Sequence, residues 1–146
     1  MGFLNWWQNN KPEEDSQLTL FGDPQELTQH KRVDGATVNN EFKDAIKRSG
    51  GSKDTYWRAV ETETQELFDC TTNELYAKTG AKKGNRSTLP IPAQEAYIVN
   101  ETLSKHRLNH EVAEENKQTE SQRQKDDRIV ETVRDTAENV RKWFPW

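Results

Sequence analysis

The sequence predicts an all-α fold: a small bundle of three to four helices, with a flexible N-terminal arm before it and an amphipathic C-terminal helix after it. Three observations carry this expectation. Apolar residues recur at helical spacing after Gly35, as Val38, Phe42, Ala45 and Ile46. A second seam, Ile129, Val133, Ala137, Val140 and Phe144, steps by four, four, three and four, the spacing of a coiled-coil stripe. Between the two, Gly50-Gly51, Gly80 and Pro92 stand where helices stop or start.

The elements follow in order. Residues 1–35 read as an arm rich in Gln, Asn, Asp, Glu and Pro, in which Trp6 and Trp7 close a short helical turn onto the body. A first body helix is capped by Asp34 or Thr37 and ends at Gly50-Gly51, after Lys47-Arg48 in its last turn. A second starts at Ser52 and presents Tyr56, Ala59, Val60, Leu67 and Phe68, with Glu63 and Thr64 interrupting its stripe. A third, short helix runs from Thr72 to Lys78, capped by Thr71 or Thr72 and stopped by Gly80. Residues 81–92 read as a loop, and Pro92 opens a long helix with Ala96, Tyr97, Val99, Leu103 and Leu108 on its buried face. Residues 114–127 are almost wholly polar and read as a linker or solvated extension. The last helix spans roughly 126–144. The expected organisation is an arm over 1–35, a helical body over 36–113, and a polar linker with the C-terminal helix over 114–146. The expected core is Phe42, Ile46, Tyr56, Trp57, Val60, Leu67, Phe68, Leu75, Tyr76, Tyr97 and Leu103.

Composition narrows the function classes. Of 146 residues, 31% are hydrophobic and 32% charged, with a mean hydropathy of -1.15. That is too polar for the whole length to form a packed core. A net charge of -4 argues against wholesale wrapping of nucleic acid and leaves room for a local basic patch. The single cysteine, Cys70, forms no internal disulfide or cysteine-based zinc site and fits a reducing, cytoplasmic compartment. No apolar run approaches the length of a membrane span. The apolar start, Met1 to Trp7, lacks the basic and long apolar regions of a signal peptide.

One pentapeptide stands out in the arm: Gln17-Leu18-Thr19-Leu20-Phe21, between an acidic stretch and Gly22-Asp23-Pro24. It resembles the linear motif by which bacterial proteins dock on the DNA-polymerase sliding clamp, commonly Gln-Leu-Ser/Asp-Leu-Phe. Thr19 is a small polar departure from it. The resemblance implies that Leu20 and Phe21 fill an apolar cleft on the clamp, Leu18 anchors its entrance, and the Gln17 amide bonds at the rim. The structural alternative is a short edge strand, or an apolar patch folded back on the core.

The central stretch from Phe68 to Arg86 contains Thr72-Asn73-Glu74-Leu75 and Gly80-Ala81-Lys82-Lys83-Gly84-Asn85-Arg86. It is followed by Leu89-Pro90, Gln94-Glu95-Ala96 and Asn100-Glu101-Thr102. It is similar to the C-terminal helical module of phage and mobile-element proteins of the BRO, KilA and DinD-like kind, over roughly residues 38–108. The DNA-binding domain that defines BRO proteins has no counterpart in this sequence. The resemblance implies a bacterial or phage protein concerned with DNA metabolism.

Other constellations point less far. Lys78, Lys82, Lys83 and Arg86 lie in a stretch without acids between Glu74 and Glu95. They suit phosphate contact, as in a DNA-binding regulator, or a solvated loop. The glycine spacing there does not match a phosphate-binding Walker loop. His106 and His110, with Glu114, share one helix face, but that trio reads as solvated rather than as a metal site. Cys70 reads as a buried small hydrophobe. Trp6, Trp7, Trp143 and Trp146 cluster at the termini; they either staple the ends together or anchor a partner. The C-terminal seam packs on the body, pairs with a second copy or docks a partner. The leading expectation is a non-enzymatic adaptor without cofactor or metal, docked on the sliding clamp.

Overall fold

Local signals set most helix boundaries. A computed structural model describes residues 2–10, 24–114 and 120–146. Among them are six α-helices: α1 (Phe3–Asn10), α2 (Pro24–Arg48), α3 (Thr55–Phe68), α4 (Thr72–Thr79), α5 (Ile91–Glu114) and α6 (Gln122–Arg141). A short 3-10 turn occupies Arg86–Thr88, and no strand occurs among the described residues. The all-α class stands. The six helices exceed the three to four expected of the bundle: α1 forms within the expected arm, and α2 starts at Pro24, also inside it, rather than near Asp34.

The caps explain several of the ends. The Thr71 hydroxyl accepts from the Glu74 amide while the Glu74 carboxylate accepts from the Thr71 amide, a capping box that opens α4. Gly80 closes α4 at φ 74°, a left-handed conformation that glycine adopts without a Cβ penalty. Ser121 and Gln124 form a second capping box, so α6 begins inside the stretch expected to be a linker. Ser52, expected to cap α3, instead bonds Asp126 through both its amide and its hydroxyl, at 2.9 and 2.8 Å. At the turn between α2 and α3, a Cβ on Gly51 would lie 2.8 Å from Ile46 Cγ2.

The helices pair mainly as α2 on α5, α3 on α6 and α5 on α6. Two apolar clusters result. One joins Phe42, Ala45, Ile46, Ala59, Val60, Leu108, Ile129 and Val133. The other joins Phe3, Leu67, Phe68, Leu75, Tyr76, Leu89, Ala93, Ala96, Tyr97, Ala137 and Val140, with Cys70 among them. Burial pushes the Cys70 thiol up to about 12, so it stays protonated and packs as a small hydrophobe.

The C-terminal seam is consumed within one chain. Ile129, Val133 and Ala137 have no exposed surface and Val140 has 2%. The stripe that offered a homodimer contact is therefore already covered. The termini meet as well. Trp146 packs edge-on against Phe3 with centroids 4.8 Å apart, and its Nε1 donates to the Leu67 carbonyl at 2.6 Å. Trp143 remains 88% exposed.

Two members of the expected core are not in it: Trp57 is 66% exposed and Leu103 46%. Val99, placed on the same face as Leu103, is 40% exposed. The buried face of α5 instead runs through Ala93, Ala96, Tyr97, Asn100, Glu101, Ser104 and Leu108. Its middle is polar.

Candidate functional site

The order of buried residues along the helices creates a polar layer. On α3, Ala59 and Val60 belong to one apolar cluster and Leu67 and Phe68 to the other. Glu63 and Thr64, fully buried, lie between. On α5 the same sequence runs from Ala96 and Tyr97, through Asn100, Glu101 and Ser104, to Leu108. A polar layer inside a helical bundle costs desolvation and survives only when its members satisfy one another.

Most of them do. Asn100 Nδ2 donates to Glu63 Oε1 at 2.9 Å. Asn39 Nδ2 donates to Glu101 Oε1 at 3.1 Å, and the Tyr56 hydroxyl donates to Asn39 Oδ1 at 3.0 Å. The Thr64 and Tyr97 hydroxyls meet at 2.7 Å. Arg86 enters from the 3-10 turn. Its Nη1 lies 2.8 Å from Glu101 Oε1 and 2.7 Å from Oε2, and its Nη2 lies 3.9 Å from Glu63 Oε2. The guanidinium also stacks on Tyr97, 4.0 Å from the ring centroid.

Two carboxyls with one guanidinium leave a charge imbalance. Burial, followed by the negative charge of Glu101, holds the Glu63 carboxyl well above its ordinary range, so Glu63 keeps its proton and donates it to Glu101. That proton also accounts for Glu63 Oε2, a buried oxygen that lies 3.9 Å from Arg86 Nη2, beyond hydrogen-bond reach. Desolvation works against the Arg86 charge, and the negative charge of Glu101 outweighs it and holds the guanidinium charged. Burial pushes the Tyr97 hydroxyl well above its usual range, so it remains a neutral donor.

The loop that delivers Arg86 is tied to itself. Asn85 Oδ1 accepts from the Ser87 amide and hydroxyl at 3.1 and 2.6 Å. The Thr88 hydroxyl donates to the Asn85 carbonyl at 2.6 Å and accepts from the Lys82 amide at 2.8 Å. Gln94 Nε2 donates to the Leu89 carbonyl at 2.7 Å and fastens the loop to α5.

Above this layer opens a cleft of about 580 Å³ between α2, α3, α4, α5 and the loop. Its lining includes Lys43, Tyr56, Trp57, Tyr76, Lys83 and Arg86. Such a volume falls in the range of small-molecule sites.

The residues singled out from the sequence separate into groups. Lys78, Lys82 and Lys83 are exposed at the end of α4 and in the loop. Arg86, grouped with them as a phosphate contact, is turned inward and committed to Glu101. Gln17, Leu18, Leu20 and Phe21 lie outside the described residues. His106 and His110 are exposed on α5, and no cluster of metal-ligating side chains occurs among the described residues. Sequence reasoning missed Asn39, Glu63, Asn100 and Glu101. The only local sign of them was the break that Glu63 and Thr64 make in the stripe of α3.

No family model, no curated protein and no solved structure matches this chain. Among the described residues, no helix is long and apolar enough to cross a membrane.

Proposed function

We propose that this chain is a non-enzymatic adaptor of phage or mobile-element type that docks on the bacterial DNA-polymerase sliding clamp in the cytoplasm. The observation that carries the reading is the pentapeptide Gln17-Leu18-Thr19-Leu20-Phe21. Its apolar residues match in kind and order what a peptide-capturing cleft needs: two adjacent anchors, one entrance contact and a polar lead. Its position supports the reading too. In the sequence it stands between the residues of α1 and those of α2, behind the acidic stretch Glu13-Glu14-Asp15 and ahead of Gly22-Asp23-Pro24. The body would then act as the second module of the adaptor, brought to replicating DNA by the arm.

Calorimetry of the intact chain with a bacterial sliding clamp tests this. Binding in the micromolar range, lost in a Leu20→Ala/Phe21→Ala double variant, is the expected result. No binding by the intact chain removes the reading.

A second reading, a DNA-binding regulator, is favoured by the exposed Lys78, Lys82 and Lys83 beside a self-tied loop. It rests on these lysines, since Arg86 is spent on Glu101. DNA affinity falling steeply with salt, without any clamp present, distinguishes it.

A further inference from the structure

The cleft above the polar layer combines two features that clamp docking does not use. The first is aromatic. Tyr56, Trp57, Tyr76 and Tyr97 all line it. Trp57 is 66% exposed and is held edge-on by Tyr56, with centroids 5.0 Å apart and planes at 71°. An indole left in water forfeits the gain of burial that Phe42, Phe68 and Tyr97 obtain. Held in place by its neighbour, it offers a ring face as a stacking platform.

The second feature is charge. Lys43, Lys83 and Arg86 line the cleft, and Glu101 is the one carboxylate among its described lining residues. Arg86 already neutralises Glu101. No described carboxylate pairs with Lys43 or Lys83. Lys43 instead sits over the Tyr56 ring, 4.7 Å from its centroid. The cleft therefore carries unneutralised positive charge beside flat apolar walls. A planar ring joined to an anion complements both. A simple anion would leave the rings unused, and a neutral aromatic would leave the lysines unused.

We propose that this cleft binds a nucleotide, with the base stacked on Trp57 and the phosphate held by Lys43 and Lys83. The floor has a positioning role: the Glu63, Glu101 and Asn39 network fixes Arg86 and the tyrosine walls before the ligand arrives, which lowers the ordering cost of binding. The same chemistry is presented by a free mononucleotide and by single-stranded DNA. The proposal stands whether or not the clamp is a partner.

Calorimetric titration of the full chain with four probes tests it: deoxyadenosine monophosphate, deoxyadenosine, inorganic phosphate, and a deoxyadenylate strand of about ten nucleotides. The mononucleotide is expected to bind about tenfold or more tightly than the nucleoside or phosphate alone. Trp57→Ala and Lys43→Ala/Lys83→Ala should each weaken it by about tenfold or more. Trp57 and Lys83 are exposed, so unfolding midpoints measured beside the titrations should stay near that of the parent chain. Binding of the strand alone, with the same sensitivity to both variants, upholds the site and identifies its source as single-stranded DNA. Three results overturn the proposal: no binding of mononucleotide or strand, phosphate binding as tightly as nucleotide, or nucleotide binding unchanged in Trp57→Ala.

Discussion

Glu63 and Glu101 stand in one buried layer on different helices, with the Arg86 guanidinium 2.7 Å from Glu101 Oε2 and 3.9 Å from Glu63 Oε2 as the one cation beside them among the described residues. Burial, with the charge of Glu101, holds the Glu63 carboxyl well above its ordinary range. The pair splits into an acid that donates and a carboxylate that accepts. The two residues therefore answer differently to substitution.

Glu101→Ala should destabilise the protein by about 3–5 kcal/mol, since it leaves the Arg86 charge without its partner and Asn39 without its acceptor. Glu63→Gln should cost no more than about 1 kcal/mol at neutral pH, because an amide donates to Glu101 as the protonated carboxyl does. Urea unfolding of both variants measures the contrast. Equal losses would show that Glu63 is not protonated.

The shared proton also sets a pH dependence. Glu63 is raised in the folded chain above the ordinary value of 4.5, so the folded state binds more protons than the unfolded state above that pH. Its contribution to stability is complete below about pH 4.5 and is lost as pH rises towards the folded value. The slope is at most about 1.4 kcal/mol per pH unit. Glu63→Gln should abolish this component in unfolding curves taken from acidic to alkaline pH.

Asp126 behaves in the opposite sense. Burial pushes its carboxyl up, but bonds from the Ser52 amide and hydroxyl, Gln122 and Thr55 outweigh that and hold it at about 2. Its contribution is present above the ordinary value of 3.8 and is lost as pH falls through about 2. Asp126→Asn should cost about 1–3 kcal/mol at neutral pH, since it weakens the tie between the start of α6 and the turn before α3. The deficit should close in strong acid, read by unfolding at a series of low pH values.

The termini should prove asymmetric. Trp146→Ala removes ring contacts with Phe3, Trp6, Phe68 and Phe144 and the bond to the Leu67 carbonyl. The expected loss is about 2–4 kcal/mol, below the value for a fully buried tryptophan because this one is half-buried. Trp143→Ala, at an 88% exposed position, should stay within about 0.5 kcal/mol. Thermal or urea unfolding separates the two.

The faces of α5 give a test on one helix. Leu103→Gln should change stability by no more than about 0.5 kcal/mol, whereas Leu108→Ala should cost about 2–5 kcal/mol. From the stripe in the sequence alone, both leucines would be expected to matter. The structure separates them, with Leu103 46% exposed and Leu108 fully buried.

That contrast shows how far the sequence could be read. Hydrophobic periodicity finds a buried face when burial is driven by transfer of apolar groups. It succeeded on α6, where Ile129, Val133, Ala137 and Val140 point into the core. It failed in the middle of α5, where the buried side chains are Asn100, Glu101 and Ser104. Their partners come from far along the chain: Glu63 lies 37 residues from Asn100, and Asn39 lies 62 from Glu101. No local window contains both members of such a pair. Arg86 was misread for the same reason. Beside three lysines it resembled another phosphate contact, and only the approach of α5 revealed a carboxylate within reach.

The sequence by itself determined the helical class, a cap for α4 at Thr71 or Thr72, the stop at Gly80, the opening of α5 near Pro92 and the apolar seam of α6. These depend on interactions within about one helical turn, or on a periodicity that repeats along one element. The tertiary structure alone decided that the seam turns inward, that Trp146 meets Phe3, and that Trp57 stays in solvent. It also decided that the polar side chains of α3 and α5 form a neutralised layer beneath a basic, aromatic cleft. Those outcomes depend on which surfaces meet. A buried charge is tolerated only where a distant residue arrives to share its hydrogen bonds or its proton.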